Sequence, residues 1–222
     1  MSDVPRRTIH SAWPVLAVTA GFGLALALVP PGFEVPQNDD WAYALTVRQW
    51  LETGTLPALG WNDPTLVFQV WWGGLFAVLF GGSYTALRAS TLVLAWAGGL
   101  AFLGILRRVG VGRGPAVVAT LTVLLNPLHL VLSYSFNTDV PYVATATVAT
   151  WLLLRALDRP EARREILAGV AMACAYLIRQ QGLILAALAA VWVALPASGG
   201  GAGPGRRDAV RRVRSAALVL LP

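Results

Sequence analysis

The sequence predicts an all-α fold: a polytopic bundle of transmembrane helices with an outer-face loop that carries interfacial helices. Three observations predict it. Of the 222 residues, 56% are hydrophobic and only 13% charged, which excludes a soluble globular domain, a disordered tail and a disulfide-stapled module. The apolar residues gather in long runs at roughly 12–30, 66–80, 86–106, 115–132, 140–154 and 166–195. All 17 basic residues are arginine, clustered between those runs as the loop charges of a membrane protein are. That placement sets aside a nucleic-acid partner, which the formal charge of +6 would otherwise suggest. The lone cysteine, Cys174, leaves no intrachain disulfide.

The run at 12–30 reads as a retained anchor, because Pro30-Pro31-Gly32 follows it where a signal peptide would show a small-residue cleavage site. Arg6 and Arg7 precede it, whereas residues 31–64 carry Glu34, Asp39, Asp40, Glu52 and Asp63 against Arg48. The positive-inside tendency therefore predicts a cytoplasmic N-terminus and an extracytoplasmic loop over about 31–87. The next run, 66–80, is short for a crossing of about 20 residues. Laid flat at the interface, it puts Arg107, Arg108 and Arg113, and later Arg155, Arg159, Arg163 and Arg164, on the cytoplasmic side. Trp71 and Trp72 suit headgroup depth, and Gly73-Gly74 weakens a free-standing helix.

The runs at 86–106, 115–132 and 140–154 read as spans. The last run, 166–195, is too long for one span and has arginines on both flanks. It therefore reads as a hairpin broken at Arg179-Gln180-Gln181-Gly182. This topology leaves 14 of 17 arginines cytoplasmic and isolates Arg48, Arg88 and Arg179. Residues 1–196 form the transmembrane module, 197–215 a Gly-rich and Arg-rich cytoplasmic linker, and 216–222 the start of a further apolar span, as expected of the N-terminal part of a longer chain. The location predicted is the cytoplasmic (inner) membrane.

Two acidic motifs stand at the outer helix ends. Asn38-Asp39-Asp40-Trp41-Ala42-Tyr43 opens an amphipathic helix that should end near Gly54. Either Asn38 caps that helix while Asp39 and Asp40 complement its dipole, or the paired carboxylates supply a general base. Asn137-Thr138-Asp139-Val140-Pro141 offers the same choice between a cap for Asp139 and a functional acid. Arg88 reads either as a snorkelling cation or as a functional one. Arg179, deep in an apolar run, is costly unless it lines a cavity or pairs with an anion, and its planar fork suits a phosphate. His10 and His129 have no partners at metal-ligand spacing.

The order of these motifs resembles the GT-C membrane glycosyltransferases that use polyprenyl-phosphate-linked sugars, the group of the protein O-mannosyltransferases (glycosyltransferase family 39) and the aminoarabinose transferase of lipid A. The resemblance rests on the acidic pair after the first span (38–43), Leu-Phe-Gly-Gly (79–82), Tyr-Thr-Ala-Leu-Arg (84–88), Asn126-Pro127-Leu128, Thr-Asp-Val-Pro (138–141), and Leu177 to Leu183. It implies inverting transfer on the outer face of a bacterial cell membrane, from a polyprenyl-phosphate sugar donor to a lipid, glycan or protein acceptor. By the same resemblance, Asp39 or Asp40 is the general base and Asp139 the second acidic site. Arg179, Arg88 and Gln180 would bind the donor phosphate. A divalent metal, Mg or Mn, stays open as a cofactor, with Asp40 and Asp139 its ligands if one is used. Rival readings are a transporter or flippase fragment and a non-catalytic membrane scaffold.

Overall fold

The computed structural model describes residues 12–56 and 65–194. Arg6, Arg7, His10, Asp63, the 197–215 linker and the apolar run from Ala216 lie outside them. The described residues form nine α-helices with one 3₁₀ turn and, among them, no strand. In order the helices are α1 (Trp13–Leu28), α2 (Asp40–Thr53), α3 (Val67–Phe80), α4 (Tyr84–Arg108), α5 (Arg113–Leu124), α6 (Pro127–Ser133), α7 (Asp139–Asp158), α8 (Ala162–Tyr176) and α9 (Leu183–Ala194), with the 3₁₀ turn at Gln180–Gly182.

Helices α4 and α7 are long and apolar enough to cross a membrane; at 1.5 Å per residue they span about 37 and 30 Å. They pack side by side in parallel. A Cβ on Gly98 would fall 2.8 Å from the Cα of Ala144, and one on Gly104 would strike the Trp151 indole, so the register between the helices is 46 to 47 residues. Glycine permits this closeness, as small residues do between membrane helices. At the far end Arg108 and Asp158 are joined by bonds of 2.8 and 2.5 Å. The arginines of 107–113 and those of 155–164 therefore gather at one end of the bundle.

The expected single span at 115–132 is a bent pair. Helices α5 and α6 meet at 61°, because Pro127 has no N–H and disfavours helical geometry in Asn126 before it. Asn126 then caps α6, its Oδ1 accepting from Leu128 N at 3.0 Å and His129 N at 3.3 Å. Two buried hydroxyls within the apolar helices bond one turn back, Thr120 to the Ala116 carbonyl at 2.8 Å and Thr145 to that of Pro141 at 2.8 Å, whereas Thr91 Oγ1 of α4 is buried with no hydrogen-bond partner. The back-bonds of Thr120 and Thr145 satisfy those two hydroxyls inside the apolar bundle.

Helix α1 runs antiparallel to α4. Thr19 accepts from Trp96 Nε1 at 3.0 Å, and the Val29 carbonyl accepts from Tyr134 Oη at 2.5 Å. Helix α9 turns back along α8, since Ala189 shares a buried cluster with Ala149 of α7 and Met172 of α8. Gly182 makes that turn tight: a Cβ there would lie 2.5 Å from the Tyr176 Cα.

Helix α3 lies across the end of the bundle at which α4 and α7 begin. Its first residues touch the α8–α9 break, with Phe68 N donating to the Leu177 carbonyl at 3.1 Å. Its middle rests on the loop before α7 and on the first turns of α4: Gln69 Nε2 donates to the Phe136 carbonyl at 2.9 Å and Trp72 Nε1 to that of Ser90 at 2.9 Å. Those partners all belong to one end, so α3 spans the mouth of the bundle and does not run along its length.

Candidate functional site

Two ion pairs are built at this end. The first joins α2 to α4. Residues 31–39 lead to the N-terminus of α2, where Asn38 adopts a left-handed φ of +51° that Asn tolerates better than most residues. Asp39 occupies the N-cap position with no side-chain cap bond and is exposed. The expected cap by Asn38 is therefore not the arrangement present. The next carboxylate turns inward. Asp40 is fully buried, with Oδ1 accepting from Gln37 N at 2.6 Å and Oδ2 paired with Arg88 Nη2 at 3.1 Å. Gly54, at φ +70°, ends α2 as predicted.

Arg88 is also wholly buried, which excludes snorkelling. Its Nη1 donates to the Phe33 carbonyl and its Nη2 to that of Val35 at 2.5 Å. The guanidinium lies 4.3 Å from the Phe33 ring centroid and 5.4 Å from that of Tyr84, within cation–π range. A residue so enclosed presents no surface to a phosphate. In the structure Arg88 holds Asp40 and the stretch of chain in front of it.

The second pair joins α7 to the α8–α9 break. The helix stops at Tyr176 and Arg179 is extended (φ −143°, ψ 140°), which frees its side chain to reach sideways. Nη2 lies 2.9 Å from Asp139 Oδ1, and Nε donates to Thr138 Oγ1 at 2.7 Å. Both charged side chains stay partly exposed, at 28% and 45%, and the second guanidinium nitrogen, Nη1, takes no part in these bonds. Gln180 is exposed beside it. The N-cap of α7 is Thr138, without a side-chain cap bond, so Asp139 faces Arg179 instead of capping its helix.

The register of α4 against α7 places Asp139 level with residues 92 to 93 of α4, about 6–8 Å along the axis from Arg88. Between the pairs lies a shared layer. Phe136, buried beneath Gly73 and near Leu87, carries the carbonyl that Gln69 grips. Gln69 Oε1, Ser135 Oγ and Asn137 Oδ1 are buried in this layer with no hydrogen-bond partner. Asp39, Asp40, Asp139, Arg179 and Gln180 are thereby gathered at one end, opposite the arginine clusters.

The donor set does not fit a divalent metal shared by Asp40 and Asp139. Both Asp40 oxygens are already engaged within the protein, and among the described residues no three His, Cys, Asp or Glu side chains group at metal-ligand distance.

The sequence pattern that defines the dolichyl-phosphate-mannose-protein mannosyltransferase family matches residues 64–200. The chain belongs to that family. It is accordingly an integral membrane protein and a membrane glycosyltransferase of the GT-C type. No curated protein and no solved structure matches the chain. Within this mannosyltransferase-family protein the matched segment contains Arg88, Asp139, Arg179 and Gln180, while Asp39 and Asp40 precede it. Two participants escaped the sequence. Thr138 lies inside the Asn-Thr-Asp motif, but only the fold shows it bound to Arg179. Glu34 gave no spacing signal, since its partners are 50 and 51 positions away.

Proposed function

We propose that the protein transfers a sugar, with inversion, from a polyprenyl-phosphate donor to a lipid, glycan or protein acceptor on the outer face of the membrane. The observation that carries this reading is the Arg179–Asp139 pair, exposed at the same end of the bundle as Asp39. Arg179 spends Nε on Thr138 and one contact on Asp139, which leaves the Nη1 donors for a phosphate oxygen. A guanidinium so held suits bidentate capture of phosphate.

Of the two adjacent carboxylates, Asp39 is the general base. It is exposed, whereas Asp40 is buried against Arg88 and serves as structural neighbour. Asp39 accepts the acceptor's hydroxyl proton while the acceptor oxygen bonds to the anomeric carbon. The bond from that carbon to the phosphate oxygen breaks, and its electron pair leaves with the lipid phosphate, whose developing charge Arg179 stabilises. An inverting displacement needs a base on the face opposite the leaving group, and fixed cations are most effective where water is scarce.

The experiment is sugar release from a radiolabelled polyprenyl-phosphate donor by the full chain in lipid nanodiscs. Arg179→Ala should raise the donor KM and reduce turnover; transfer that is indifferent to this substitution contradicts the reading.

A further inference from the structure

The stretch Phe33-Glu34-Val35 is bound at every residue to the beginning of α4. Arg88 takes the two flanking carbonyls, those of Phe33 and Val35. Glu34 reaches the helix terminus itself: Oε2 accepts from Tyr84 N at 2.8 Å, while Oε1 accepts from Thr85 N at 3.0 Å and Thr85 Oγ1 at 2.5 Å. Ser83 Oγ already accepts from Ala86 N at 3.1 Å, so α4 has an ordinary N-cap without Glu34. The carboxylate adds bonds to the two N–H groups that Ser83 leaves unmet, and a negative charge is favoured there by the helix dipole.

Arg88 grips main-chain oxygens, which any residue at 33 or 35 would offer. Glu34 is different, because a slip of one residue in either direction would lift its carboxylate off both amides. Five and six residues after Glu34, Asp39 takes the N-cap position and Asp40 begins α2, with Gln37 N tied back to Asp40 Oδ1. The chain from 33 to 40 is therefore pinned to α4 at its two ends, by the Asp40 carboxylate on Arg88 and by Glu34, the residue of the 33–35 stretch whose side-chain hydrogen bonds distinguish one register from the next.

We propose that Glu34 is a positioning residue, fixing the register of the 33–40 segment so that Asp39 stands exposed at the site while Asp40 meets Arg88. The catalytic half of this statement rests on the proposed function; the anchoring half does not.

The test compares wild type, Glu34→Ala, Glu34→Gln and Thr85→Val as full chains in nanodiscs, by amide hydrogen exchange over residues 37–43 and by kcat and donor KM for sugar transfer. In Glu34→Ala the exchange should quicken by about tenfold or more, and kcat should fall by about tenfold or more with donor KM little changed, as small misplacements of a base behave. Glu34→Gln, which can keep one acceptor oxygen, should lie between, and Thr85→Val, which removes a single bond, should resemble it. These milder variants carry the test if Glu34→Ala does not fold. Unchanged exchange, or an unchanged kcat beside quickened exchange, overturns the proposal. Absence of transfer by the wild type would instead remove the functional reading, and the exchange measurements would still decide the anchoring.

Discussion

Arg88 and Asp40 form an ion pair of 3.1 Å in which neither side chain has any exposed surface. They are 48 residues apart in sequence, and their union ties the loop after α1 to the first turns of α4. A buried charge left without its partner is costly, so Arg88→Ala should destabilise the protein by about 3–5 kcal/mol. Arg88→Lys should recover little, because a single ammonium cannot reach Asp40 and the carbonyls of Phe33 and Val35 together. Thermal unfolding in detergent measures both; a wild-type midpoint for Arg88→Ala would refute the role assigned to the pair.

The seat of α3 depends on Gly73, whose missing Cβ makes room for Phe136, itself buried. Gly73→Ala should cost about 1–3 kcal/mol by overpacking and should loosen Gln69 from the Phe136 carbonyl. Gly82→Ala, where a Cβ meets nothing within 4 Å, is the matched control and should be nearly neutral. Equal midpoints for the two variants would contradict the packing described.

The sequence disclosed the bundle more fully than the site. Run lengths and the arginine distribution located α1, α4, α7 and the α8–α9 hairpin, because hydrophobic burial and charge placement are written locally along the chain. The break at Pro127 was missed since an apolar run passes through it without a change in composition. At the site, the motifs around Asp39 and Asp139 are visible as polar islands at run ends, and Arg179 as a cation inside a run. What remained hidden was which acid faces inward. Asp39 and Asp40 are chemically identical neighbours, and only the meeting of α2 with α4 sends one to Arg88 and leaves the other exposed. Arg88 stays open in one dimension between a snorkelling and a functional cation, because sequence order cannot show that the 33–35 carbonyls enclose it.

Acid should release the Glu34 anchor. The hydrogen bond from Thr85 Oγ1, aided by the Thr85 and Tyr84 amides and by the Arg88 charge, holds the Glu34 carboxyl below its usual pKa. A lowered pKa in the folded state means that the contribution to stability is complete above the ordinary carboxylate range and is lost as pH falls through the folded-state value. Amide exchange over 37–43, corrected for its intrinsic pH dependence, should therefore stay protected at neutral pH and quicken as pH drops below that range. In Glu34→Gln the same profile should be flat across it. A flat profile in the wild type would count against the bonds described.

Arg179 and Asp139 should be coupled in function. Asp139→Asn leaves Arg179 without its fixed anion, and Arg179→Lys removes the bidentate fork while keeping the charge. In a double-mutant cycle on kcat/KM for the donor, the two substitutions should be clearly non-additive, as residues in direct contact are. Additive losses would show that the pair does not act as a unit.

Asp39→Asn and Asp40→Asn, assayed side by side for sugar transfer and for thermal stability, test the central claim most directly. Asp39→Asn, which removes the proposed base, should reduce turnover by about 10²–10⁴-fold with the unfolding midpoint unchanged, whereas Asp40→Asn should lower the midpoint first. Wild-type turnover from Asp39→Asn in a folded, membrane-inserted protein would contradict the account.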